Sequence, residues 1–435
     1  ILLQKGYDVK LRDYMTERAS LNDLHREMAE YKPDLIMMSI TNTTIYGDLE
    51  IINDLKAKYN PVTVIKGALF YDPEQEMMDM LDLSSTDYII GGETDFAIGE
   101  IADYALKGEG NIDDALSILY KTEDGSFKRT AFHQWAGDLD SRPFPARHLM
   151  NNALYKRPDT DEPMATIQTA RGCPSACVFC LTPIISGTCV RFRSPQNVLD
   201  EMLECYDVHG IKSFFFKADT FTIDPKWVKE MCELIINSKM HGNITFTANS
   251  RVNPLSKETL KLMKDAGCFM VAFGFESGSD EMLKILRKGT TVEMNLRAAK
   301  WCHEVGLQFW GFYVIGFPWE EHILATKKLI MESDPDFIEV KMALPFYGTP
   351  LYDACKEFDL LAESPMGCDF FHSAMKGTKY LSQEEVEKLR KNILLSFYLR
   401  PKYIFKKMSE CITKPGVFLN YCKYGIKLVV NLFKR

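Results

Sequence analysis

Arg171-Gly172-Cys173-Pro174-Ser175-Ala176-Cys177-Val178-Phe179-Cys180 is the stretch on which the reading of this chain turns. Its cysteines stand four and three residues apart, so one turn-rich loop can present three thiolates to one face of an iron-sulfur cube and leave the fourth iron without a protein ligand. Chemistry can occur at such an open iron. The spacing differs from the paired C-x-x-C of a zinc ribbon, and no second pair follows downstream to complete four ligands. Gly172 and Pro174 suit a loop that bends between ligands. Two other readings stay open: a zinc site completed by a remote His or Cys, and three small buried residues that fall at this spacing by accident.

Outward from the loop, six strand-like segments at 164–169, 211–216, 244–247, 269–275, 308–315 and 337–342 alternate with helical stretches. Gly210, Gly267 and Gly306 each fall between an amphipathic run and the next strand, where a helix commonly ends in a left-handed glycine. Asp224-Pro225 reads as an N-cap followed by a first-turn proline, and Thr290 with Glu293 as a capping box. Strand-helix units of roughly 30 residues argue for a partial (β/α)6 barrel of the TIM type over 164–365, with its chemistry at the carboxyl ends of the strands. The cysteine loop follows the first of these strands.

The other strand ends supply candidate ligand contacts. Asp219, in Lys217-Ala218-Asp219-Thr220-Phe221, could accept a hydrogen bond from an ammonium group or simply cap its loop. Asn249-Ser250-Arg251 offers a polar cluster whose guanidinium can clamp a carboxylate. Glu276, in Gly274-Phe275-Glu276-Ser277-Gly278-Ser279, is a carboxylate at an apolar strand end, which needs either a ligand or a salt-bridge partner. Ile315-Gly316, in Val314-Ile315-Gly316-Phe317-Pro318, gives a backbone edge that a planar group could approach, and is also an everyday turn. Arg191 and Arg193 follow the cysteine loop and either balance its negative charge or form surface salt bridges.

Residues 1–112 read as a doubly wound, Rossmann-like parallel sheet, with strands at 8–11, 34–40, 62–65 and 87–90 separated by amphipathic segments near 20–30, 47–58 and 93–107. Ligands of such sheets bind at the carboxyl ends of the strands. Three exits there are rich in small or hydroxyl residues: Ser39-Ile40-Thr41-Asn42-Thr43-Thr44, Lys66-Gly67-Ala68 and Gly91-Gly92-Glu93-Thr94. They suit the approach of a large planar ligand, or tight turns with helix caps. Over 113–163 lie a hairpin around Thr-Glu-Asp-Gly at 122–125 and a proline-stiffened connector at 138–145.

The pattern C-x-x-x-C-x-Phe-C, with Phe179 just before the last cysteine, resembles the signature of radical S-adenosylmethionine enzymes. Its surroundings resemble the cobalamin-binding branch of that family over about residues 1–400. The resemblance implies that Cys173, Cys177 and Cys180 bind a 4Fe-4S cluster. Its free iron chelates S-adenosyl-L-methionine, which one electron cleaves to a deoxyadenosyl radical that takes hydrogen from an unreactive carbon. It further implies that Phe179, Asp219, Asn249, Arg251, Glu276, Ile315 and Gly316 line the site of that cofactor, and that Ser39, Thr41, Gly67, Gly92 and Glu93 face cobalamin. No Asp-x-His-x-x-Gly is present, which implies cobalt without a histidine ligand. The family's first strand would lie upstream of Ile1, so cobalamin binding is expected more firmly of the parent protein than of this chain. The implied reaction is methyl transfer to a carbon. A tetrapyrrole-type cyclisation and an iron-sulfur protein without turnover are the alternatives. Methylthiotransferases fit less well, because nothing resembles their extra domains. The implied partners are a small-molecule substrate, lipid-like or tetrapyrrole, and a reductase, flavodoxin or ferredoxin as electron donor. Tyr347, in a Pro-Phe-Tyr-Gly-Thr-Pro stretch, resembles the closing turn over the substrate.

With 435 residues, 46% of them apolar, the chain is long enough for two or three cored domains. A net charge of -8 argues against a nucleic-acid grip by the whole chain. Nine of the 12 cysteines are scattered singly, many in apolar runs, which fits a reducing cytoplasm. No run reaches the length of a membrane span. The opening Ile-Leu-Leu-Gln-Lys-Gly has no initiator Met and reads as a cut within an element. The last segment, 366–435, reads as helical with a basic tail. Ser382 with Glu385 marks a capping box, and Val386, Leu389, Ile393 and Phe397 form a stripe that suits packed core better than a partner groove. From Arg400 onward nine Lys or Arg stand against Glu410 alone, interleaved with Tyr403, Phe405, Phe418, Tyr421 and Phe433. Such a tail can lie on an anionic membrane surface, or be solvated, or pack on its own domain.

Overall fold

Five short strands build the sheet of the amino-terminal part: β1 (Leu35–Ser39), β2 (Val62–Lys66), β3 (Tyr88–Ile90), β4 (Ile118–Lys121) and β5 (Phe127–Arg129) lie side by side in that order. They belong to a computed structural model that describes the chain apart from residues 134–136, 321–322, 363–365, 368–374, 412–414 and 434–435. The chain forms two compact units. One comprises 1–150, 171–191 and 344–369, the other 151–170, 192–343 and 370–435.

In the first unit β1, β2 and β3 are parallel, and the 118–129 hairpin continues the sheet in antiparallel register, with Ile90 opposite Ile118. Successive residues of a strand point to opposite faces, and the packing follows. Ile65 and Ile89 join a core with Leu49, Ile52 and Phe70, while Val64 and Ile90 join another with Ile98, Ile101 and Ile118. Both faces are therefore covered, as an α/β sheet requires. Helices Leu21–Tyr31 and Ile45–Tyr59 lie where the amphipathic pattern puts them. Residues 8–11, expected as a strand, form none. Lys10 and Arg12 turn instead to Glu27 at 3.0 and 2.7 Å, and Leu11 stays exposed, so no apolar face holds this segment on the sheet.

The second unit holds six parallel strands: β6 (Met164–Gln168), β7 (Ser213–Lys217), β8 (Thr245–Ser250), β9 (Cys268–Glu276), β10 (Gln308–Ile315) and β11 (Phe337–Met342). Their spatial order is their chain order, and among the described residues β6 and β11 are not paired to each other. The result is an open barrel with a helix in each connection. Aromatic rings pack the layer between its strands and helices, where Phe309 meets His303 of a covering helix edge-on at 5.6 Å. Phe216 and Phe246 lie 4.7 Å apart, and Phe275 meets Tyr313 edge-on at 5.9 Å. Each such buried ring contributes about 1.5–3 kcal/mol of transfer free energy. Gly210 and Gly306 close their helices in the left-handed conformation, and Asp224 accepts from two first-turn amides. The helix Val292–Val305 is capped by Thr291 and not by Thr290, whose hydroxyl is buried. At the far edge, Tyr398 of helix Gln383–Tyr398 accepts from the Ile338 amide and donates to its carbonyl, at 3.1 and 2.8 Å. That helix buries Val386, Ile393 and Phe397, so the stripe is core.

Two glycines of the first unit give opposite expectations. A Cβ on Gly91 would stand 2.3 Å from the Phe70 carbonyl oxygen, whereas one on Gly47, inside a helix, would meet nothing within 4 Å. We expect Gly91→Ala to destabilise the protein by about 1–3 kcal/mol, and Gly47→Ala to stabilise it by about 0.5–1 kcal/mol. Thermal melting followed by circular dichroism reads both signs.

Candidate active site

The cysteine loop begins where β6 ends, and its neck is closed by backbone. Gly172 has φ +92°, and a Cβ there would lie 2.2 Å from the Cys189 carbonyl oxygen, so no other residue fits. The Cys173 amide donates to the Gly187 carbonyl at 3.2 Å, and the Cys180 amide to that of Cys177 at 3.2 Å. Thr182 donates its amide to the Cys180 sulfur at 3.4 Å, and the Leu351 amide donates to the Val178 carbonyl at 2.9 Å. Cys173 and Cys177 are buried, with Cys180 and Phe179 half-buried. Burial pushes the Cys180 thiol up. The Thr182 side chain and amide oppose this, and the neighbouring Cys177 and Cys173 add to it, so the three sulfurs share one electrostatic environment.

Among the described residues no three His, Cys, Asp or Glu side chains gather tightly enough to hold a single metal ion. A cube takes one thiolate at each of three irons, so its cysteines stand further apart than the ligands of one ion. One loop with three buried or half-buried sulfurs suits the cube.

Both ends of the loop are fastened to the same carboxylate. Arg191 grips Glu93 with two guanidinium nitrogens at 3.0 and 2.6 Å, and Arg171 reaches it at 3.1 Å. Arg171 also holds Asp95 in a bidentate pair, with both contacts at 3.0 Å. The Glu93 side chain is only 6% exposed, so these charges are matched out of water. Arg193 is buried as well. It pairs with buried Glu201, bonds Asn197 Oδ1 at 2.6 Å and donates to the Gln168 carbonyl at 3.0 Å. Arg191 and Arg193 thus form buried ion pairs, not the surface salt bridges that were one of the two expectations.

At the other exits of the first unit the hydroxyls form a rim. Thr41 bonds Thr43 and Thr44, each at 2.9 Å, and these residues and Ser39 are exposed. The glycine exits are filled by the protein itself. Cβ atoms on Gly67 and Gly92 would stand 3.1 Å from the Ile40 carbonyl oxygen and 2.7 Å from the Ser117 Cβ. Their smallness is used for packing one strand exit on the next. Glu93, expected to face a ligand, spends its carboxylate on the arginines. Tyr347, expected over a substrate, packs on Tyr352 at 4.3 Å within the first unit's core.

In the second unit the strand ends converge on a residue the sequence reading missed, Lys288. Its ammonium donates to Glu276 Oε1 at 2.7 Å with both side chains buried, and its carbonyl accepts from the Arg251 guanidinium. Gly274 makes room for the pair, since a Cβ there would meet Glu276 Oε1 at 2.4 Å. Glu276 is held at φ +61°, strained for a residue with a side chain. Asn249 is half-buried, and Asp219 lies exposed at the end of β7. The buried hydroxyls of Thr169, just past β6, and of Thr290 have no partner among the described residues, which fits a polar ligand at these ends.

Gly316 has φ +80°, and its amide donates to Glu320 Oε2 at 2.6 Å. The Phe317 amide reaches the same oxygen at 3.4 Å. Burial is the dominant influence on Glu320 and lifts it from an ordinary 4.5 to about 7, against the two amides. This carboxylate was also missed. The signal was an acid four residues beyond the turn glycine, in Gly316-Phe317-Pro318-Trp319-Glu320.

Residues 167–330 match the model of the Radical SAM superfamily. An uncharacterized methyltransferase of Pyrococcus horikoshii is 29% identical over 94% of this chain and 88% of its own length. The fold is also that of the cobalamin-dependent S-adenosylmethionine radical enzyme OxsB, solved with aqua-cobalamin and S-adenosylmethionine bound. That match has a TM-score of 0.73 and 16% identity, over 99% of this chain and 67% of that one. The radical S-adenosylmethionine methyltransferase TsrM of Kitasatospora setae, solved with cobalamin and a [4Fe-4S] cluster, matches with a TM-score of 0.69 and 21% identity, over 82% and 73%.

Removing one partner of the Lys288–Glu276 pair leaves a buried charge. Lys288→Met is expected to destabilise by about 3–5 kcal/mol, and adding Glu276→Gln to recover most of that loss, as read by denaturant melts. For Glu320, the folded protein binds its proton more tightly than the unfolded chain does. Its contribution to stability is therefore full below about pH 4.5 and is lost as pH rises through about 7. Glu320→Gln removes that loss, so the melting temperature of the variant relative to wild type should rise across this window. An unchanged difference from pH 4.5 to 7 would count against the buried acid.

Proposed function

We propose that this chain, whose residues 167–330 match the Radical SAM superfamily model, is a cobalamin-dependent enzyme that methylates an unactivated carbon of a small molecule. The observation that carries the reading is the three-cysteine loop, closed at its neck by Gly172 and fastened at both ends to Glu93. Its support in the fold is the likeness to OxsB and TsrM, which spans the sheet unit as well as the barrel.

Cys173, Cys177 and Cys180 would hold the 4Fe-4S cluster. Asn249 and Arg251 would orient the methionine carboxylate or the ribose of S-adenosyl-L-methionine, and the Ile315–Gly316 edge would seat its adenine. Asp219 would accept from its ammonium group. The Thr41 hydroxyl rim with Ser39 would face cobalamin. When bound, these groups supply a hydrogen-abstracting radical and a methyl carrier, and the protein supplies position. The buried Glu276–Lys288 pair keeps Arg251 in place through the Lys288 carbonyl, and Glu320 holds the Gly316 turn through its amides. Phe179, half-buried beside Cys180, would shield the cluster from solvent. The electron would come from a reductase, flavodoxin or ferredoxin.

The test is anaerobic reconstitution with iron, sulfide and cobalamin, then incubation with reductant and S-adenosylmethionine labelled on its methyl group. We expect 5′-deoxyadenosine and S-adenosylhomocysteine together, and with a cognate acceptor a labelled carbon in the product. Cys177→Ala should lower deoxyadenosine formation by about a hundredfold or more, since loss of a ligand outweighs loss of a ligand's support. Deoxyadenosine without S-adenosylhomocysteine would favour cyclisation, and neither product would leave an iron-sulfur protein without turnover.

A further inference from the structure

Among the described residues, the carboxyl-terminal helices, Pro401–Cys411 and Pro415–Phe433, meet their unit through one side. Asn420 donates to the Asp159 carbonyl at 3.1 Å, the Tyr421 ring meets Phe337 edge-on at 6.0 Å, and Lys407 sits 4.5 Å from the Phe337 ring. Lys406 and Arg400 are likewise turned inward, to Asp336 at 2.8 Å and Asp334 at 2.6 Å. On the outward side, Leu419 is 67%, Ile426 65%, Val430 44% and Phe418 42% exposed. At 100° per residue these four fall within an arc of about 120°, with Lys423 and Lys427 next to it. The preceding helix repeats the arrangement with Phe405 at 70%, Met408 at 52% and Ile404 at 40% exposure.

Helices that bury one face normally turn polar residues to water, so large apolar side chains left outside call for a second occupant. Charge decides which. The segment from Arg400 on carries nine Lys or Arg and one acid, while residues 1–399 carry 43 Lys or Arg against 59 Asp or Glu. Arg400, Lys406 and Lys407 are spent on acids of their own unit, but the helix Pro415–Phe433 carries Lys423 and Lys427 beside its apolar arc and no acid, and a cationic, apolar-faced helix on an acidic body matches the surface of an anionic bilayer. Its rings and aliphatic side chains can enter the acyl boundary, and its lysines can extend along them to the phosphates. An identical face on a second copy would repel it. Among the described residues no helix is long and apolar enough to cross a membrane; a helix with one apolar arc beside its lysines would lie in the plane of the interface.

We propose that the outer face of residues 401–430 docks this protein on an anionic phospholipid surface. The idea is independent of the methyl-transfer reading, and its test needs no cofactor. The whole chain is sedimented with large vesicles of phosphatidylcholine, with or without phosphatidylglycerol. Binding to the anionic vesicles, weak binding to the neutral ones and partial release by high salt are expected. Leu419→Asp with Ile426→Asp should lower the bound fraction by about tenfold or more at an unchanged melting temperature, since both side chains are exposed. Lys423→Glu with Lys427→Glu should weaken binding to anionic vesicles while the apolar arc stays intact. No pelleting with anionic vesicles, or pelleting that survives both double substitutions, overturns the proposal. So does a lipid-free dimer that Leu419→Asp with Ile426→Asp converts to monomer, because the face then serves self-association.

Discussion

Glu93 binds the arginine that opens the cysteine loop and the arginine that closes it, and the geometry of three thiols depends on that shared carboxylate. A free segment of the 19 residues between Arg171 and Arg191 would lose about 2–3 kcal/mol of closure entropy in bringing its ends together. Here the closure is held by a four-charge group, Glu93 and Asp95 against Arg171 and Arg191, whose formal charges cancel. Cancellation matters because these side chains are largely out of water, where an unmatched charge is costly. Gly172 completes the neck. Its missing Cβ lets the chain pass the Cys189 carbonyl at a distance no side chain permits.

The barrel ends obey a similar rule with different residues. Glu276 sits on a strained backbone at an apolar strand end and is balanced by Lys288, whose carbonyl in turn anchors Arg251. Glu320 is held by two amides, and burial raises its proton affinity into the neutral range. Buried polar groups of this kind fix position more than they add stability. A ligand-binding strand end needs fixed position.

Much of this was legible in the residues. Parallel strands, helix stops at Gly210 and Gly306, the cap at Asp224 and the stripe from Val386 to Phe397 all follow from local rules of period, propensity and capping, and the structure has them. Partnerships were not legible, because they join residues far apart in the chain. Nothing local says that Glu93 will meet an arginine 98 positions away, or that Lys288 will hold Glu276. The small residues at 67, 91 and 92 were open to two readings, and the structure uses their smallness to pack strand exits together. Residues 8–11 show the reverse failure. A short alternating pattern suggested a strand, but a strand needs a ladder partner and an apolar face, and this segment has neither. The basic tail reads as amphipathic in sequence, while which face is left outward needed coordinates; the side chain of Phe433 lies outside the described residues.

The central claim is that Cys173, Cys177 and Cys180 hold an incomplete cube whose open iron takes S-adenosylmethionine. Low-temperature electron paramagnetic resonance of the reduced, anaerobically reconstituted protein, recorded before and after adding S-adenosylmethionine, tests it most directly. A 4Fe-4S signal whose shape changes on addition is the predicted result. A protein without a cluster signal, or a cluster signal indifferent to S-adenosylmethionine, contradicts it.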